Sequence, residues 1–304
     1  MDYPLVSIII PNYNHARYLE ERIQSVLKQT YYNFEVIILD DKSTDNSLEV
    51  INKYKDNPHI VKIVASEQNS GSPFKQWEKG FKLAKGELIW IAESDDSCEK
   101  TFLEKLVKEH IEKNNVVTFC RSQKMDENSQ KYDTFQNGLK RGNWNGRDFI
   151  RSFLGKGNII TNASSVVFNK KDALSADTQY KSYKGSGDWL FWIEIVQNGY
   201  ISFIDEALNY FRIHGTNTTQ KLYSNGVDFL EDKKIFDYLV RNQLINTHTM
   251  KYIKKRNLAK FTSYPFDNEE IRRKVINAWD FSFKERFRMY FSSLLHKIWR
   301  WLDC

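Results

Sequence analysis

Glu93-Ser94-Asp95-Asp96 places three carboxylates within four residues, directly after the apolar run Leu88-Ile89-Trp90-Ile91-Ala92. Acids crowded at the end of a buried strand repel one another and lose water, which costs stability unless a cation relieves them. Hard ions such as Mg2+ and Mn2+ prefer carboxylate oxygens, and Mg2+ is usually held by one or two carboxylates together with substrate phosphates. The stretch therefore points to a metal–diphosphate site at a sheet edge. The plainer alternative is a solvated loop whose acids cap the helix near Thr101. A second acidic cluster, Asp40-Asp41-Lys42-Ser43-Thr44-Asp45, closes the run Phe34–Leu39. Asp188 follows Gly185-Ser186-Gly187 and opens an apolar, helix-like segment, where it is either an N-cap or a poised base.

These groups need a frame that brings them to one edge. Leu5–Ile10 is a β-branched run ended by Pro11 and reads as a buried strand, with Pro11–Asn14 as a turn. Arg17–Gln29 carries Leu19, Ile23, Val26 and Leu27 at helical spacing. Strands are then expected over Phe34–Leu39, Ile60–Ala65 and Glu87–Ala92. Helices are expected over Ser47–Tyr54, with Leu48 and Ile51 inward, and over Phe74–Lys85. This alternation predicts an α/β fold with a doubly wound, mostly parallel sheet and ligands beyond the strand C-termini. Further on come a helix over Thr101–Asn114, a strand over Val116–Cys120 and an irregular polar segment over 121–145. A short helix over Asn145–Leu154 and a strand over Ala163–Phe168 follow. Beyond the helix at Trp189–Val196, two strands are expected, Ile201–Ile204 and Leu208–Ile213, the second ending at His214.

Composition narrows the function classes. The 304 residues are 41% hydrophobic, enough for one large core or two smaller ones. No apolar run approaches 18 residues, and no secretory signal is expected from Met1-Asp2-Tyr3-Pro4. Three distant cysteines, Cys98, Cys120 and Cys304, suit a reducing compartment. Residues 251–304 carry 13 Lys and Arg against 6 Asp and Glu, whereas the whole chain is only +6. The body thus has no charge excess to attract nucleic acid, and none is expected as a partner. There is no Gly-x-Gly-x-x-Gly after the first strand and no Gly-Lys-Ser/Thr loop, which disfavours dinucleotide enzymes and P-loop phosphotransferases.

Four features now fall in one order: a strand ending Pro11-Asn12-Tyr13-Asn14, a strand ending Asp40-Asp41-x-Ser43-x-Asp45, a strand ending Asp95-Asp96, and Gly187-Asp188 at a helix start. From about Val6 to His214 the chain resembles the family 2 inverting glycosyltransferases, with the A-type nucleotide-sugar fold. The resemblance implies a nucleotide-diphosphate sugar donor held by Pro11, Tyr13, Asn14, Asp41, Asn69, Lys75 and Asp95. It implies Mg2+ or Mn2+ on Asp96, with His214 near the metal or diphosphate, and Asp188 as general base. Many relatives glycosylate lipid-linked acceptors at the cytoplasmic membrane surface, so a saccharide or lipid-linked saccharide acceptor is expected, in bacterial surface-polysaccharide or lipopolysaccharide assembly. The chain departs from the family pattern at Glu93-Ser94-Asp95-Asp96, which is not a strict Asp-x-Asp. It departs again after Asn69-x-Gly71, where Lys75 or Lys79 stands in for a basic run.

The expected organisation is a catalytic domain over 1–221, with a nucleotide-sugar half (1–100) and an acceptor half (101–221), then a helical C-terminal extension over 222–304. Helices are expected over Gly226–Asn242, Thr249–Phe261, Glu269–Ala278 and Phe283–Leu302. The last, opened by the capping-box pattern Ser282–Glu285, has an apolar stripe and basic residues that suit either a membrane interface or packing on the domain. A cytoplasmic protein, peripheral on the membrane, is the matching location. The rival readings are a nucleotidyltransferase, which would carry a Gly-rich basic loop where Pro11–Asn14 stands, and a non-catalytic binding module, against which Asp41, Asp96 and Asp188 together argue.

Overall fold

The computed structural model describes residues 3–215 and 224–287. Four strands form its first half: β1 (Val6–Asn12), β2 (Phe34–Asp40), β3 (Ile60–Ala65) and β4 (Leu88–Ile91). They run parallel in the order β3-β2-β1-β4, with Val6 opposite both Phe34 and Leu88. The apolar runs of β1, β2 and β4 are near-continuous rather than alternating because both faces are covered, whereas the edge strand β3 is largely exposed. On one face Val6, Ile8 and Ile10 pack with Leu19, Ile23 and Val26 of α1 (Ala16–Leu27) and Ile51 of α2 (Ser47–Asn52). On the other, Ile9, Ile37 and Leu39 meet Phe74, Trp77 and Phe81 of α3 (Pro73–Leu83). The sheet is thus doubly wound, as expected. Leu48 is not inward: it is exposed, and Ile51, with the partly buried Val50 beside it, anchors that short helix. Pro11 and Asn12 belong to β1 rather than to a turn.

The second half continues the sheet with β9 (Val166–Asn169), β6 (Asn115–Met125), β10 (Tyr200–Arg212) and the two-residue β5 (Ser97–Cys98). β9 is antiparallel to both β4 and β6, and β10 is parallel to β6. The C-termini of β1, β2, β4 and β10 therefore share one edge. Two expectations change here. The polar stretch after Cys120 is not irregular, since β6 runs on to Met125 and pairs with β7 (Lys131–Thr134). The strands expected at 201–204 and 208–213 are one long β10, with its register shifted on both sides of Ala207. Strand β8 (Gly142–Asn145), helix α4 (Phe102–Glu112), helix α5 (Gly146–Ser152) and helix α6 (Lys170–Ser175) complete this half. Helix α7 (Gly187–Val196) is apolar nearly all round and buries Leu190, Phe191, Trp192 and Ile193.

Three more helices follow, α8 (Val227–Arg241), α9 (Thr247–Ser263) and α10 (Glu269–Ala278). Asn246 and Asn268 cap the last two through their side-chain oxygens. Phe229, Phe236, Leu239, Trp279 and Phe281 are buried in the cluster that also holds Phe191 and Trp192. Trp279 donates its indole N–H to the Phe229 carbonyl at 3.0 Å. Trp279→Ala should therefore destabilise the whole protein by about 3–5 kcal/mol, the range for truncating a buried Trp, as read by chemical denaturation; a loss under 1 kcal/mol would mean that these helices are not part of the core. The Ser282–Glu285 capping box forms, with Glu285 accepting from both the backbone N–H and the hydroxyl of Ser282 at 2.8 Å. Residues 288–304, with most of the expected last helix and its stripe, lie outside the described residues.

Candidate functional site

The first cluster sits where β1 and β2 end. Asn12 donates to Asp40 at 2.8 Å and to the Ser43 hydroxyl at 3.1 Å, while Asp40 accepts from the Ser43 N–H at 2.9 Å. Asn14 and Lys42 both take positive φ, and the Asn14 side chain accepts from the Thr44 N–H at 2.7 Å. Two tight loops are thereby locked together, with Tyr13 half exposed beside them. Asp41 is buried, and its carboxylate accepts from the Ser70 N–H, the Ser70 hydroxyl at 2.7 Å and Gln76 at 2.6 Å. Asn69 donates to the Asp41 carbonyl at 3.1 Å, and Lys75 donates to the Ser70 carbonyl at 3.1 Å. Asp41, Asn69 and Lys75 thus meet at the loop 69–72. Lys79 points away from it, to Ser66.

The acid cluster after β4 divides into unlike members. Asp96 is buried, and both of its oxygens are engaged: one accepts from Asn162 at 2.6 Å and Ser164 at 2.7 Å, the other from the Arg212 N–H at 2.9 Å. The buried Arg22 guanidinium stands 3.8 Å from it. Asp95 is only partly buried and points the other way, 3.0 Å from His214 Nε2. Ligand atoms of His15, Asp95 and His214 all lie within 4.8 Å of one another, the one such metal-competent group among the described residues. The resemblance implies the ion on Asp96, with His214 near it, and a donor contact from Asp95. In the structure Asp96 ties the strand end to its neighbours, and Asp95 stands beside the histidines. Glu93 accepts from the Trp77 indole at 3.0 Å; burial, reinforced by Asp95 and Asp96, pushes its carboxyl up to about 8.

Asp188 is the second residue of α7, behind an N-cap at Ser186, so it is not the cap. Its carboxylate accepts from the Trp189 N–H at 2.7 Å and from Asn158 at 2.8 Å. Burial, with Asp232 adding repulsion, pushes it up to about 7 against those two donors. It lines a cavity of about 650 Å3, within the size range of small-molecule sites. One segment ties the cavity to the acid cluster: Asn158 holds Asp188, while Asn162 and Ser164 hold Asp96. Four residues of chain span at most about 14 Å, so the two centres are neighbours.

Sequence reasoning missed several of these groups. His15 lies one residue past the quoted Pro11–Asn14 run, and its proximity to Asp95 has no local signal. Arg22 and Arg212 are fully buried under the acid pair, Arg212 donating to the Asp95 and Asp126 carbonyls; on paper they are ordinary basic residues. The cavity is also closed by side chains well beyond His214: Asp228 and Asp232 of α8, and Arg256, Asn257 and Lys260 of α9.

Against known proteins, the family model described as Glycosyl transferase family 2 matches residues 7–176. TuaG of Bacillus subtilis, described as a putative teichuronic acid biosynthesis glycosyltransferase, is 26% identical over 211 residues, 69% of this chain and 79% of that one. Two further curated relatives are matched over only 44% and 47% of their own length. The crystal structure of S. aureus TarS 1–349 in complex with UDP-GlcNAc superposes with a TM-score of 0.69 at 22% identity, over 90% of this chain and 79% of that one. The mannosyltransferase PcManGT from Pyrobaculum calidifontis, in complex with GDP-Man and Mn2+, gives 0.59 at 16% identity, over 97% and 81%. At these identities the two structures speak for the fold alone.

Proposed function

The chain belongs to glycosyl transferase family 2, and from that premise we propose that it moves a sugar from a nucleotide-diphosphate donor to an acceptor hydroxyl by a single inverting displacement. The observation that carries this reading is the placement of Asp188: a carboxylate with a pKa near neutrality, in the wall of a large cavity, joined by one short segment to the acid cluster. The donor lies along the strand edge, its nucleotide against Pro11, Tyr13 and Asn14 and the loop that Asp41, Asn69 and Lys75 shape. The acceptor enters the cavity. Asp188 takes the proton of the acceptor hydroxyl as that oxygen bonds to the anomeric carbon and the bond from that carbon to the diphosphate breaks on the opposite face. Of the two ions expected, a set of one carboxylate and two imidazoles fits Mn2+ better than the harder Mg2+; Asp95, His214 and His15 would hold it, and it would supply charge stabilisation to a diphosphate leaving group. Asp96, engaged by Asn162, Ser164 and the Arg212 N–H, is assigned to holding the strand end in place rather than to the ion.

Bacterial cell-envelope polysaccharide assembly is the proposed setting, supported by what the TuaG description says of that relative. Among the described residues no helix is long and apolar enough to cross a membrane. Phe283 and Phe287, within the basic segment 251–304, are exposed at the start of the expected last helix. That supports a peripheral membrane contact, testable as salt-sensitive co-sedimentation with anionic vesicles.

The test of the reading is a thermal-shift panel of nucleotide-sugars with and without Mn2+. A donor at one hundred times its Kd should add about 2.7 kcal/mol of stability. A panel in which no nucleotide-sugar shifts the melt, with or without metal, would sink the proposal. A nucleotidyltransferase would instead consume a nucleoside triphosphate and release pyrophosphate. The pH profile is a further expected result. Asp188 must be ionised to act, so transfer should rise with pH through about 7 and level off above it; a flat profile between pH 5 and 8 would remove Asp188 from the role.

A further inference from the structure

Glu231 stands on α8, beyond every stretch the sequence marked for chemistry, and its carboxylate is buried under the loop that leads to Asp188. Three consecutive backbone N–H groups donate to it: Lys184 at 2.7 Å to one oxygen, and Gly185 and Ser186 at 2.9 Å each to the other. Asp232, next in the chain, accepts from the Ser186 hydroxyl at 3.0 Å. Successive N–H groups converging on one anion fix the orientation of the peptide planes that carry them. Here those planes end at the N-cap of α7, two residues before Asp188, and all three residues line the cavity with it.

We propose that Glu231 is a positioning residue for the general base, so that the C-terminal helical segment is part of the catalytic unit. This rests on the reading of Asp188 as the base. Asp188 has its own contacts to Asn158 and the Trp189 N–H, but the direction in which α7 starts is set by the tied loop. Releasing that loop shifts the carboxylate against the acceptor, and an error of about 1 Å costs roughly 100-fold in rate. It also opens the partly exposed Asp188 carboxylate further to water, and burial is the first cause of its raised pKa. The charged groups around the same cavity are Lys184 on the tied loop, Asp228 and Asp232 on α8, and Arg256 and Lys260 on α9. Acids and bases face each other there, so burial, more than net field, is what the loop controls.

The test compares the full chain with Glu231→Gln and Glu231→Asp, using UDP-GlcNAc with Mn2+ as the probe. The readouts are affinity, the pH profile of UDP release, and titration of the Asp188 carboxyl by carbon NMR. Expected are unchanged affinity, a 10- to 100-fold lower turnover in Glu231→Gln, and an Asp188 midpoint at least one unit below that of the wild type. Glu231→Asp keeps the charge but draws it back by one methylene, so a midpoint that falls there too comes from the loop and not from charge removal; it also serves if the Gln variant does not fold. Turnover and midpoint both equal to wild type would overturn the proposal and leave Glu231 a structural tie. If the wild type releases no UDP, the titration alone decides for Glu231. The base assignment fails separately, when Asp188→Asn turns over the probe as the wild type does.

Discussion

Asp188→Asn should lower sugar transfer by about 10²–10⁴-fold, the usual contribution of a positioned general base, while donor affinity and the fold stay as they are. The amide matches the carboxylate in size and its oxygen can still accept from the Trp189 N–H; the bond donated by Asn158 is lost, but the tie to the first turn of α7 stays. What it loses is the ability to take a proton. The cavity also predicts the sign of a stability change. The folded pKa of Asp188 lies near 7, above the ordinary value of about 3.9. In that window the folded state binds more protons than the unfolded one, so this group makes stability fall as pH rises from about 4 to 7. Asp188→Asn should remove that slope and match or exceed the wild-type melting temperature at pH 8. The decisive measurement is single-turnover transfer alongside a donor-binding isotherm. Transfer within threefold of wild type would mean that another group takes the proton.

The first half of the sheet was legible because its strands are buried on both faces. Residues 88–92 read as an unbroken apolar run, 6–10 and 34–39 as runs broken only by Ser7 and Glu35, and each delivers its polar residues at the same end. Beyond Cys120 that signal fades for a physical reason. In β6 the polar residues Arg121, Gln123 and Lys124 are partly exposed beside β10 and β7, so no apolar run marks the strand. In β10 the exposed Asp205-Glu206 sits at the register shift and looks like a loop on paper. The site shows the same division. Asp188 and the acid cluster announce themselves through local spacing. Which acid is free for an ion depends on Arg22, Asn162, Ser164 and Arg212, scattered over 190 residues, and only the packed sheet edge brings them to Asp96. The cavity wall from α8 and α9 is of the same kind, since nothing in residues 228–260 points toward Asp188 until Glu231 is seen to hold its loop.

The division between the two neighbouring acids sets up the other large effect. Asp95→Ala should abolish the gain in nucleotide-diphosphate affinity that Mn2+ gives the wild type, and lower transfer by about 10²–10³-fold, the scale of losing one electrostatic clamp on a developing charge. Its cost in stability should be small, because the Asp95 side chain is partly exposed and its partner His214 is a residue of the same site. Asp96→Ala should behave in the opposite way. It strips the partners from Asn162, Ser164 and the Arg212 N–H and leaves the buried Arg22 guanidinium without its counter-charge. Breaking a buried ion pair from one side costs about 3–5 kcal/mol, so the melt should drop sharply. Such Asp96→Ala protein as remains folded should still respond to Mn2+. Calorimetric titration of UDP into each variant, with Mn2+ and with chelator, separates the two acids. A wild-type metal response in Asp95→Ala, or a metal response lost in Asp96→Ala without a loss of stability, would return the ion to Asp96.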